Sequence, residues 1–233
     1  MKRVTVGNLC VQLGWWEVDA RVLEGSGDLL DSVLEAHGIG ETLDPDRVLA
    51  SMPRAGWRDL KPQDSGRNSL ILASRSGDGW VMLQLDQRDG AWFIAGDPTP
   101  RQPIPCKAER ASLLTLSWPS ETLEAESGRK PKLIASLTNH GSEPFPRYEV
   151  DNLHAVGWIL DSDTEQPVAY EEWVTYSSSS SPNASCPPGG TIDIEIHLLT
   201  KAPEQLPAGS YKLKATLTSL SLHTPVANLT LRA

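Results

Sequence analysis

Five histidines, three cysteines and one run of alternating acids are the residues from which chemistry would have to be built. His37, His140, His154, His197 and His223 stand apart, and no two have the spacing of paired metal ligands. His37 reads as a favourable charge at a helix C-terminus, His140 and His223 fall in expected turns, His197 on the wet face of a strand, and His154 mid-strand as a hydrogen-bonded core residue. Cys10, Cys106 and Cys186 are too few and too far apart in the chain for a disulfide framework or a zinc site with paired ligands. Reduced thiols are expected, with Cys186 open to thiol reagents inside the polar stretch 176–190. Asp161-Ser162-Asp163-Thr164-Glu165 opens like a calcium loop but lacks the glycine and the distal acid, so it reads as a solvated hairpin turn. Gly25-Ser26-Gly27 has no strand–elbow–helix context for a nucleophile, and no phosphate-binding glycine loop is present. The expectation is no catalytic residue, no metal and no cofactor.

Tryptophan is the residue in excess: eight against two phenylalanines. Most should serve the core, but an indole also suits the half-wet centre of a protein interface. Neighbouring side chains on a strand point to opposite faces, so one of Trp15 and Trp16 must face outward. Both are therefore interface candidates.

The charge balance narrows the partners. Residues 1–108 carry 12 basic and 15 acidic side chains and residues 109–233 carry 9 and 15, so neither half has the basic surplus that phosphate neutralisation requires. Nucleic acid is excluded as an expected partner. No apolar run reaches the ~18 residues of a membrane span, and the N-terminal stretch lacks the apolar run of a signal peptide; the expected location is cytoplasmic, with a virion or other assembly compatible.

The elements that must position these residues fall into two groups. Lys2–Leu13 and Trp15–Val22 read as a hairpin across Gly14. Ser26-Gly27-Asp28 opens a helix in which Leu29, Leu30, Val33 and Leu34 share a face, with Gly38 as the left-handed stop; a second short helix runs from the Asp44-Pro45 cap to Met52. From Ser69 the period drops to two, and glycine turns at 77–79 and 86–90 separate three short apolar runs, which spells an antiparallel meander. Helices followed by a meander whose last strand begins Asp89-Gly90-Ala91-Trp92 resemble the α+β cone of cystatin-like and nuclear-transport-factor-2-like proteins. That resemblance implies a cavity, which Trp80 and Trp92 would line beside a buried carboxylate.

Four prolines in the nine residues 97–105 forbid helix and central strand, so 97–108 is expected to connect a small α+β domain (1–96) to a second domain (109–233). In that second domain 191–199 and 211–218 alternate apolar and polar without a break. Seven strands are expected, at 113–118, 133–138, 153–160, 167–174, 191–199, 210–218 and 226–231. Their number, length and turns, with Trp158 on the third strand and Leu206-Pro207-Ala208-Gly209-Ser210-Tyr211 before the sixth, resemble the immunoglobulin-like β-sandwich of bacterial adhesion-type and proteinase-inhibitor-type modules. The strand at 153–160 is apolar on both faces. One face suits the core; the other, His154, Val156, Trp158 and Leu160, needs a cover.

Two functions fit these readings. The first is a non-catalytic protein-interaction or structural protein acting with a protein partner or as a homo-oligomer, through Trp15, Trp16 and the His154–Leu160 face. The alternative is a small-ligand-binding protein, or an enzyme, using the Trp80/Trp92 cavity. A pocket lined by those two indoles would favour the alternative; a filled core and an exposed apolar strip would favour the first.

Overall fold

The structure, a computed structural model, describes residues 9–39, 51–62, 68–168, 184–200 and 202–233. The chain divides into two compact units, Met1–Cys106 and Lys107–Ala233.

In the first unit, β1 (Cys10–Leu13) and β2 (Trp16–Asp19) form a tight hairpin whose two turn residues are Gly14, at φ +57°, and Trp15. A single 3-10 turn at Ala20–Leu23 follows, where the Asp19 carboxylate accepts a bond from the Arg21 backbone N–H. Then come β3 (Asp28–Leu29), α1 (Leu30–Ala36), β4 (Ala55–Asp59), β5 (Ser69–Ser76), β6 (Gly79–Arg88), β7 (Ala91–Arg101) and β8 (Ile104–Pro105). β8 pairs with β1, giving a three-stranded sheet ordered β2-β1-β8; the others form a five-stranded antiparallel sheet ordered β3-β4-β5-β6-β7. The expected meander is β5–β6–β7, with Asp89 and Gly90 both at positive φ in its second turn, as a primed hairpin turn requires.

β5 is buried on both sides. Leu70 and Leu72 pack with Leu30, Val33 and Leu34 of α1, while Ile71 and Ala73 pack with Leu13 and Val18 of the hairpin. A strand sandwiched in this way loses the apolar–polar alternation and reads as a continuous apolar run.

Several expectations are corrected here. Leu29 lies outside the helix: it pairs in β3, caps α1 and is exposed. The 97–108 segment is no connector, because 97–101 complete β7, 104–105 form β8, and a helix starts at Lys107. Pro98 and Pro100 are tolerated because β7 is an edge strand, where a missing N–H removes no obligatory ladder bond. The expected strand from Lys2 begins within the described residues only near Cys10, and the helix expected at 44–52 and the strand expected at 167–174 lie largely outside them.

The second unit holds α2 (Lys107–Ala111), β9 (Leu114–Ser117), β10 (Thr122–Glu126), β11 (Leu133–Asn139), β12 (Ala155–Asp161), β13 (Thr191–Leu198), β14 (Gly209–Leu217), β15 (Leu222–His223) and β16 (Ala227–Arg232). The strand order is β10-β16-β14-β12-β13-β11-β9, with β15 paired to β14. Neighbours are antiparallel except β10 with β16 and β12 with β13. The β12–β13 pairing spans three residue pairs and needs Gly157: a Cβ there would stand 2.6 Å from Ile196 Cγ2. Residues from β9, β11 and β13 share one core with residues from β12, β14 and β16, including Leu116, Leu137, Ile194, Ile159, Leu213 and Leu229. This arrangement is compatible with a two-layer β-sandwich. Ile194 and Ile196 face that core while Asp193 and Glu195 are exposed, as the alternation requires.

The core is closed by polar side chains that serve the backbone. Arg110 and Asp151 are both buried and paired to each other, and Asp151 also accepts the N–H of Tyr148 at 3.2 Å. The Thr200 hydroxyl accepts from Ile159 N–H and that of Thr224 from Ala215 N–H, each at 3.0 Å.

Candidate functional site

A pocket of about 190 Å³ opens in the first unit between the β1–β2 turn and the face of β6 and β7. Gly14 and Trp15 place the turn over the sheet; a Cβ on Gly14 would stand 3.1 Å from Met82 Sδ, so the turn approaches this closely because residue 14 has none. Met82 and Gln84 on β6 stand opposite Asp97 and Ala95 on β7 and contribute to the wall, with Ile71 at its base. Trp16 lines one side half-buried, and Trp15 stands at the rim with 68% of its surface exposed.

The polar edge is a fixed ion pair. Arg101 Nε donates to Asp97 Oδ2 at 2.9 Å, and the second guanidinium contact is also 2.9 Å. Burial works to raise the Asp97 carboxyl, but bonds from Thr99 N–H and from Arg101 outweigh it and hold the group below its ordinary value, so it stays ionised. Among the described lining residues there is no imidazole, thiol, hydroxyl or amine. Such a pocket can hold an apolar group and orient a polar neighbour against a carboxylate–guanidinium pair.

The expected pocket residues are elsewhere. Trp80 is buried in the smaller core of this unit with the Arg58 guanidinium 4.9 Å over its ring, and Trp92 packs against the α1-side core. Neither lines the pocket. Of the interface candidates, Trp15 is the outward-facing indole and Trp16 the covered one. In the second unit, Val156 and Leu160 are buried and His154 and Trp158 half-buried on the β12 face opposite the core; their cross-strand neighbours on β14 are Thr216, Lys214 and Lys212. Trp158 lies on the face away from the core, as the alternation of that strand implies; the indole in the core is Trp118, and its Nε1–H donates to Pro225 O at 3.0 Å.

The His154 and His197 rings lie 5.3 Å apart, and burial followed by the His197 charge keeps the His154 imidazole below its ordinary value. Asp161 is engaged within its own turn, accepting from Asp163 N–H and Thr164 N–H, while Glu165 pairs with Lys212.

Cys186 is corrected outright: it is fully buried in the core, its backbone paired with Phe145 and its Sγ 3.4 Å from Leu137 O, and burial pushes its thiol up. The reading of isolated thiols fails as well. Cys10 and Cys106 are 96 positions apart but meet across β1 and β8, with the Glu17 carboxylate beside them.

Sequence reasoning missed Asp97 and Arg101 because it stopped at the prolines. The ladder of β7 runs on through them, pairing Asp97 with Met82 and Arg101 with Trp80 across a register shift, so the segment shows no clean alternation to read.

No protein-family model matches this chain, and no curated protein matches it either. No helix among the described residues is long and apolar enough to cross a membrane.

Proposed function

We propose that this chain is a non-catalytic protein-interaction protein in which the pocket under Trp15 receives one apolar side chain of a partner protein. The observation that carries the reading is a large, exposed indole standing at the mouth of a small apolar recess. Exposed tryptophans beside a pocket are the usual anchors of protein interfaces. The volume, about 190 Å³, falls below the roughly 300–1,000 Å³ of sites that enclose a small-molecule ligand and suits a single side chain. The Asp97–Arg101 pair supplies a polar rim in which the carboxylate is already engaged by the guanidinium.

In this reading the first unit is an α+β docking domain and the second an immunoglobulin-like sandwich serving as its scaffold. The parallel pairing of β10 with the last strand supports that assignment, as does the Tyr211 hydroxyl donating to Pro207 O at 3.0 Å just before β14, the tyrosine corner of such folds. The acidic balance of both halves argues against a nucleic-acid partner.

The test is a photo-crosslinking amino acid in place of the exposed Pro98, beside the Asp97 rim, in the full chain with Trp15 intact, in cells that naturally make it. The expected result is one discrete protein adduct that disappears when Ala95→Phe fills the pocket from the exposed edge strand. A small molecule retained in stoichiometric amount and expelled by Ala95→Phe, with no protein adduct, would overturn the proposal.

A further inference from the structure

Cys10, Glu17 and Cys106 lie on one face of the three-stranded sheet. Val11 pairs with Pro105, so Cys10 and Cys106 stand opposite each other one step along the same ladder; on the other side Gln12 pairs with Glu17, and Cys10 and Gln12 share a face because they are two positions apart. The two Sγ atoms and a Glu17 carboxylate oxygen all lie within 4.8 Å of one another. Both thiols are free, Cys106 is buried, and Cys10 and Glu17 are half-buried. None of the three lines the Trp15 pocket.

The geometry points to a site for one thiophilic divalent cation of the zinc class, held by Cys10, Cys106 and Glu17 with water in the fourth position. Two sulfurs and one carboxylate oxygen are a donor set that zinc accepts and that magnesium or calcium, which take oxygen, do not favour. Zinc–donor bonds of about 2.0–2.3 Å put tetrahedral donors about 3.3–3.8 Å apart, so side-chain adjustments of about 1 Å close the set. The half-exposed edge at Cys10 and Glu17 gives the cation its entry and leaves room for the water.

The carboxylate separates this reading from a simple thiol pair. A cross-strand disulfide has no use for the carboxylate, whereas a cation takes all three groups as ligands. Burial, then Cys106, then Glu17 and Asp19, push the Cys10 thiol up to about 11, and zinc takes each cysteine as thiolate. Binding therefore displaces one proton from each thiol: two sulfur–hydrogen bonds break, two sulfur–metal bonds form, and two protons pass to solvent for each cation taken up. The site keeps one net negative charge. No oxidation state changes.

The experiment titrates cobalt(II), then zinc(II), into the reduced full-length protein without oxygen. The expected result is one cobalt per chain with a thiolate-to-cobalt charge-transfer band, release of two protons per metal, and bleaching of the band by zinc. Cys10→Ser should abolish the band. Glu17→Gln, a mild change on a half-exposed strand, should keep the far-ultraviolet spectrum of the folded chain and weaken cobalt binding by about 10-fold or more. Wild-type protein that takes up no cobalt, or binding that survives Cys10→Ser, overturns the proposal. So does a Cys10–Cys106 disulfide that forms in air with equimolar zinc present, which would assign the thiols to a redox pair.

Discussion

The two units treat their polar groups in opposite ways. In the second unit, buried polar side chains are consumed by the fold: Arg110 and Asp151 pair inside it, Thr200 and Thr224 fill backbone gaps, and the Asn139 side chain donates to Glu143 O and Cys186 O while accepting Gly141 N–H. One large core backs them. In the first unit the apolar residues divide into two smaller clusters on either side of the five-stranded sheet. Its notable groups face space or one another: an indole at a turn tip, an ion pair at a pocket edge, and two thiols beside a carboxylate. A polar group whose bonding capacity is spent on the backbone explains stability. One that converges with others around unfilled space is where binding is to be sought.

If that contrast is right, the largest stability effect belongs to the second unit. Asp151→Ala removes the carboxylate paired with the buried Arg110 guanidinium and should cost about 3–5 kcal/mol in urea unfolding. A loss below about 1 kcal/mol would mean that the pair is not part of the scaffold.

Next comes a glycine pair in the first unit. Gly25 and Gly27 both sit at positive φ, but a Cβ on Gly25 meets nothing within 4 Å, while one on Gly27 would lie 2.5 Å from the Gly56 carbonyl carbon. Gly25→Ala should therefore cost about 1–2 kcal/mol of backbone strain alone. Gly27→Ala adds a backbone overlap and should cost at least about twice that; equal losses in thermal melts would show that Ser26–Gly27 does not press on β4.

A smaller effect is tied to pH. Burial followed by His197 lowers His154, and burial followed by Lys214 lowers His223, from the ordinary 6.5. The unfolded chain thus takes up these protons first as pH falls, so stability is full above the unfolded value and declines as pH drops below it toward the folded values. The urea midpoint should fall between about pH 7.5 and pH 5.5, and His154→Asn should flatten the slope. An unchanged slope would remove His154 from the account.

Legibility in the sequence followed the same division. β13 and β14 could be read outright because Thr191–Leu198 and Tyr211–Leu217 alternate apolar and polar residues, although Thr216 on the polar side of β14 is itself buried. β10 escaped notice: it is an edge strand, and its Glu124 and Glu126 are charges of the kind that blunt an edge. β5 showed its Leu70–Leu72 side, but Ile71 and Ala73 are just as buried, since the hairpin that covers them comes from some 60 residues earlier. Proline at 98 and 100 hid the end of β7, and with it Asp97 and Arg101. Cys10 and Cys106 were the least legible, because only the pairing of β1 with β8 brings together residues so distant in the chain. Local periodicity reports which faces are dry; convergence depends on which strands become neighbours.

The measurement that bears most directly on the division between scaffold and docking unit is a paired one on Trp15→Ala: its melting temperature, and its affinity for the partner identified by crosslinking. An exposed side chain on a turn should change stability by no more than about 0.5 kcal/mol, or about 1–2 °C. Loss of an interface anchor should weaken binding by about 2 kcal/mol or more, roughly 30-fold. Unchanged melting with lost binding is the expected outcome; a melting temperature lowered by several degrees with binding intact would contradict the account, because Trp15 would then belong to the fold and not to the interface.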